Sequence, residues 1–99
     1  MADRAVFHFL IEQQDRARYL HVLRQALLPD GQVVIATFGP SGPNWCSGLP
    51  VRRYDAEMLA DEFGSDFRLI ESSLAVHRTP WGAEQQFLYC RFGQRALPR

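Results

Sequence analysis

The side chains with chemical reach in this sequence gather in two short stretches. CSGLPVRRYD (46–55) carries a thiol, Cys46, two guanidinium groups, Arg52 and Arg53, and a phenol, Tyr54. HRTPWGAE (77–84) sets an imidazole, an arginine and a hydroxyl in a row: His77, Arg78 and Thr79. A second imidazole, His8, stands between Phe7 and Phe9. Imidazole suits proton transfer near neutral pH. The competing reading makes His77 a turn residue bonded to backbone and His8 a half-buried residue at the start of a helix. The adjacent arginines suit forked hydrogen bonds to an acidic ligand, or stand as a solvated pair. Cys46 has no base at a fixed spacing and no feature that lowers its pKa, so a nucleophilic role is not indicated. His8, His21, His77, Cys46 and Cys90 show no C-x-x-C or H-x-x-x-H spacing, and no metal centre is expected. Trp45 and Trp81, one near each stretch, could wall a flat substrate or cap the core.

Both stretches must be positioned by the elements around them. IEQQDRARYLHVLRQALL (11–28) reads as a helix, with Tyr19, Leu20, Leu23, Ala26 and Leu27 on one face and a Glu12–Arg16 pair on the other. Pro29-Asp30-Gly31 ends it. The apolar, β-branched VVIATF (33–38) reads as a strand covered on both faces, as in a parallel sheet. A loop follows over 39–53, then a helix over 55–64, capped by Asp55 and stopped by Gly64. FRLIESSLAV (67–76) and QQFLYCRF (85–92) read as strands joined by a turn region over 77–84, and 94–99 as a loose tail. Strand 33–38, helix 55–64 and strand 67–76 make a right-handed βαβ crossover with parallel strands. The loops leaving the carboxyl ends of those strands carry the two reactive stretches. Ligands of open α/β sheets sit at that rim.

Composition narrows the partners. The 99 residues make one small domain or part of a larger one. Acidic and basic residues balance at 11 each, all of the basic ones arginine, which gives no electrostatic case for nucleic acid or an anionic membrane. No apolar run approaches a membrane span and no signal peptide is evident, so free thiols in the cytoplasm are the expectation.

The phrases DRAVFHFL (3–10), YLHVLRQALLPDGQVVIATF (19–38), CSGLPVRRYD and HRTPWGAEQQFLYCRF (77–92) resemble the C-terminal part of class I S-adenosylmethionine-dependent methyltransferases of small-molecule type. The resemblance covers residues 3–92 and implies an α/β fold: a partial Rossmann-like sheet with the family's fifth, seventh and sixth strands and two helices. It implies that residues 1–93 form the C-terminal portion of the domain, starting where the fourth strand ends. Strand 85–92 would then lie between the other two. The glycine-rich cofactor loop is missing: glycines fall at 31, 39, 42, 48, 64, 82 and 93, never as G-x-G-x-G. By the same resemblance, Asp3 and Arg4 would lie near the methionine end of the cofactor. His8 or His77 would take the acceptor's proton, and Cys46, Arg52, Arg53, Tyr54, Arg78 and Thr79 would line the acceptor pocket. S-adenosylmethionine is the cofactor of the complete family, and this chain alone is expected to bind it weakly or not at all.

Strand 33–38 asks for a partner on each edge, and the family's fourth strand is absent apart from a short remnant at 2–7. An exposed apolar edge predicts pairing with a second copy in a homodimer, or with the missing N-terminal half. The alternative function is a non-catalytic dimeric binding module that keeps the partial fold.

Overall fold

The computed structural model describes residues 2–4, 7–27, 31–46 and 49–94. In chain order the elements are β1 (Ala2–Arg4), a 3₁₀ turn (Phe7–Phe9), α1 (Gln13–Ala26), β2 (Gln32–Phe38), β3 (Trp45–Cys46), β4 (Leu49–Pro50), α2 (Ala56–Phe63), β5 (Phe67–Arg78) and β6 (Glu84–Gln94). β1, β2, β6 and β5 form one sheet in that order, and β3 and β4 form a small hairpin of their own.

The VVIATF run is internal, as its composition requires. β2 pairs in parallel with β1 (Ala2↔Val34, Arg4↔Ala36) and antiparallel with β6 from Gln32↔Gly93 to Phe38↔Phe87. β6 also pairs antiparallel with β5, which makes β2 and β5 parallel with β6 between them. That is the order the resemblance implied. The edge of β2 expected to be open is occupied over Val34–Ala36 by β1, so the sheet's margins are β1 on one side and β5 on the other.

Strand side chains alternate between faces. Val33 and Ile35 of β2 and Leu88, Cys90 and Phe92 of β6 join Leu20 and Leu23 of α1 and Leu59 and Phe63 of α2 in one buried cluster. Both helices therefore cover the same face. Phe63 stacks on Phe92 with centroids 4.1 Å apart and meets Phe67 edge-on. Burying such a side chain contributes about 1.5–3 kcal/mol. On the other face lie Val34, Ala36, Phe38, Phe87, Tyr89 and Arg91, and no described helix packs there. The expected two-sided cover of β2 is thus met by helices on one side only. On the other, Phe38 is buried against the rings of His8 and Phe87.

Several boundaries differ from the sequence reading. α1 starts at Gln13 behind Glu12, two residues later than read, and Glu12 makes no side-chain cap. Arg16 does not pair with Glu12 on a wet face; it is 5% exposed and bonded to Glu62. The Asp55 cap holds, accepting from the Met58 N–H at 2.7 Å, and Gly64 ends α2 at φ +77°. β5 runs on to Arg78 because the hairpin keeps pairing outward, through His77↔Gln85 and Arg78↔Glu84, so the turn shrinks to 79–83. The turn at 28–30 and most of the tail lie outside the described residues.

Candidate functional site

The carboxyl ends of β2 and β5 share one rim of the sheet. At its centre the backbone of Phe38, the last residue of β2, is held from two sides. Its N–H donates to Nδ1 of His8 at 3.1 Å, and its carbonyl accepts the Tyr54 N–H at 3.0 Å. The His8 carbonyl accepts the Arg52 N–H at 2.7 Å, which ties the 3₁₀ turn to the loop after β2. An imidazole that accepts at Nδ1 carries its proton on Nε2. The His8 ring is buried, 4.6 Å from that of Phe38 and 4.7 Å from that of Phe9.

The rings continue across the rim. Phe38 meets Phe87 at 5.0 Å, and Phe87 meets His77 edge-on at 5.4 Å. The two histidines singled out from sequence are the ends of one row, His8–Phe38–Phe87–His77. His8 is enclosed, and His77 is exposed on the outer strand.

The loop side chains are drawn inward. The Arg52 guanidinium sits 5.4 Å above the Tyr54 ring and pairs with Glu62 at 3.3 Å. Glu62 also holds Arg16 at 3.1 Å, and Nη1 of Arg16 donates to the carbonyls of Leu10 (3.0 Å) and Ile11 (2.7 Å). Tyr54 is fully buried. Burial pushes its phenol up to about 12, while the Arg52 charge pulls the other way. Arg53 donates to the Gly42 carbonyl at 3.3 Å. The turn at 39–42 is fixed by Gln86, whose carbonyl accepts the Gly39 N–H at 2.9 Å and whose Oε1 accepts the Ser41 N–H at 2.8 Å. A Cβ on Gly42 would lie 2.8 Å from the Gln86 carbonyl oxygen and 2.9 Å from Phe38 Cβ, so this close approach requires glycine.

The second stretch makes its own contacts. Arg78 pairs with Glu84 at 3.1 Å across the exposed hairpin. The Thr79 hydroxyl accepts the Ala83 N–H at 3.0 Å and closes the turn. No described hydrogen bond, ion pair or ring contact joins residues 39–53 to residues 77–84. The two stretches share a rim but do not form one compact cluster. Trp45 and Trp81 are 61% and 80% exposed, so neither caps the core. Cys46 pairs through its backbone with Leu49, and Asp3 and Arg4 through theirs with Ile35 and Ala36; the side chains of these three lie outside the described residues. A depression of about 330 Å³ opens beside the rim between Pro40, Asp55, Ala56, Ser72, Leu74 and Leu88. Neither histidine lines it.

Sequence reading missed Arg16, Glu62 and Gln86. Arg16 and Glu62 are 46 positions apart, and both looked like ordinary polar residues on helix surfaces. Gln86 sits in a strand whose alternation carried no hint of a loop contact. Among the described residues, no three His, Cys, Asp or Glu side chains come together as a metal site. No described helix is long and apolar enough to cross a membrane.

The described glycines do not cradle a nucleotide cofactor. Gly39 and Gly42 are closed by the chain's own Gln86 and Phe38, Gly93 packs against Ile70, and Gly64 and Gly82 are positive-φ turn residues with open space around them. These five glycines therefore form no cradle that fits S-adenosylmethionine.

No family model matches the sequence, and no curated protein is similar to it. Fourteen chains of solved structures share its fold. A SAM-dependent methyltransferase from Methanosarcina mazei superposes with a TM-score of 0.76 at 10% identity, over 97% of this chain and 58% of that one. A structure described under the conversion of a disulfide bond into a thioacetal group during echinomycin biosynthesis superposes with a TM-score of 0.70 at 15% identity, over 95% of this chain and 48% of that one. The chain thus spans about half the length of these structures, and its fold is a partial methyltransferase-like α/β sheet carrying two helices.

Proposed function

We propose that this chain is the C-terminal, acceptor-side half of a class I S-adenosylmethionine-dependent methyltransferase of small-molecule type, inactive by itself. The observation that carries this reading is the sheet order, with β6 inserted antiparallel between the parallel strands β2 and β5, in a fold that superposes almost entirely onto about half of a methyltransferase. The face of the sheet on which no described helix packs and the short margin β1 suit a missing N-terminal half, which would bring the glycine-rich loop and cover the half-exposed Val34, Tyr89 and Arg91.

In this reading the rim holds the methyl acceptor. Methyl transfer is an in-line displacement in which alignment supplies much of the rate. The protein's part is to fix the acceptor against the ring row. His77, exposed on β5, is the imidazole open to take the acceptor's proton. His8, enclosed with Nδ1 bonded to the Phe38 N–H, holds the end of β2 in place beneath the rim. Arg53, Arg78 and Thr79 are the acceptor-side polar groups of this reading, Asp3 and Arg4 of β1 its cofactor-side residues, and Arg52 and Tyr54 hold the loop in place.

The reading frame upstream of the Met1 codon provides the test. An in-frame segment encoding a glycine-rich strand–loop–helix, expressed with this chain, should yield a protein that transfers a labelled methyl group from S-adenosylmethionine. A stop codon immediately upstream would favour the non-catalytic binding module.

A further inference from the structure

β5 is the outer strand of the sheet and shows how it can be covered. Nine of its residues are exposed, including Leu74 (56%) and Val76 (63%) on the helix face. Its irregularity is confined to the bulge between Leu69 and Glu71, and from Glu71 to Arg78 it pairs with β6 without interruption. Beyond that bulge the charged residues Glu71 and Arg78 flank a stretch, Ser72–Val76, that carries no charge and no proline and leaves its outer backbone groups open to another strand.

The strand is also complementary to itself. In an antiparallel pair about a two-fold axis normal to the sheet, opposite residues must lie on the same face. With the axis at Leu74, Leu74 faces its own copy and Ser72 faces the partner's Val76 on the helix face. On the other face Ser73 meets the partner's Ala75, and Glu71 meets the partner's His77. Each half thus covers exposed aliphatic side chains with one another and sets Glu71, which holds Arg91 of its own chain at 2.9 Å, opposite an imidazole. The depression beside the rim is lined by Ser72 and Leu74, so the same pairing would add the partner's Val76 to its open wall.

We infer that two copies of this chain join edge to edge along β5, antiparallel and centred on Leu74, into a continuous sheet. β1 is the poorer edge, with three residues against twelve. The inference does not rest on the methyltransferase reading, because it leaves β1 and the face opposite the helices as they are.

Size-exclusion chromatography with light scattering and single-cysteine cross-linking test it. The wild-type chain should be a dimer, and Leu74→Lys, which sets two ammonium groups against each other at an exposed position, should abolish it while circular dichroism stays unchanged. In a Cys46→Ser background, Leu74→Cys should form a disulfide-linked dimer on mild oxidation. Ser72→Cys should not, because its two copies would stand four residues apart along the strands. A wild-type monomer at high concentration, or a dimer in which Leu74→Cys fails to cross-link, overturns the inference.

Discussion

The Phe38 N–H donates to Nδ1 of His8 at 3.1 Å, across 30 positions of sequence. This one bond joins the end of β2 to the turn that precedes α1, and it fixes the tautomer of the imidazole, with the proton on Nε2. It also ties a candidate functional side chain to the fold itself.

Replacing His8 should therefore cost stability before it costs chemistry. His8→Ala leaves a buried N–H without an acceptor and opens a cavity beside Phe38, together about 2–4 kcal/mol. His8→Asn returns an acceptor near the position of Nδ1 and should recover part of that loss. Urea unfolding of the two variants checks the order; equal stability of His8→Ala and wild type would show that the bond is not formed.

The Arg16–Glu62–Arg52 chain should behave as a buried network rather than as surface charge. Arg16→Met removes the better buried of Glu62's two partners and the donor to two carbonyls at once, and breaking a pair this enclosed costs about 3 kcal/mol. Arg16→Lys cannot reproduce three contacts from one ammonium and should recover little. By contrast, Arg78→Ala, at the exposed Arg78–Glu84 pair, should change the unfolding midpoint hardly at all. Denaturant titration of the three variants gives the comparison.

Stability should fall in alkali. Burial pushes the Cys90 thiol from 9.0 up to about 11 and the Tyr54 phenol from 10.0 up to about 12. Above pH 9 the unfolded chain loses these protons while the folded chain keeps them, so unfolding becomes easier as pH rises. The decline should begin with Cys90 between pH 9 and 11 and continue through Tyr54 up to about 12. Cys90→Ala should remove the first part and shift the onset upward by about one pH unit, as followed by thermal melts from pH 8 to 11.

How much of this was legible depends on the range of the interaction. The Asp55 cap and the Gly64 stop are local, and both stand where the residues demanded them. The internal place of β2 was written in its unbroken apolar run, and the place of β6 followed from the family likeness, since strand spacing alone left it open. The rim could be located because loop position follows from strand direction. Its contacts could not: Arg52 turns toward Glu62 and Arg16 enters the core only because α1 and α2 lie side by side, which neither helix encodes alone. His77 and Arg78 read as loop because Pro80 and Gly82 dominate the local signal, yet cross-strand pairing carries β5 two residues further, through both of them.

Isothermal titration of S-adenosylmethionine tests the central claim most directly, run against the 99-residue chain and against a version extended at its N-terminus by the glycine-rich segment that the proposed function requires. The account predicts no measurable heat of binding for the short chain and micromolar affinity for the extended one. Micromolar binding by the short chain alone would contradict it.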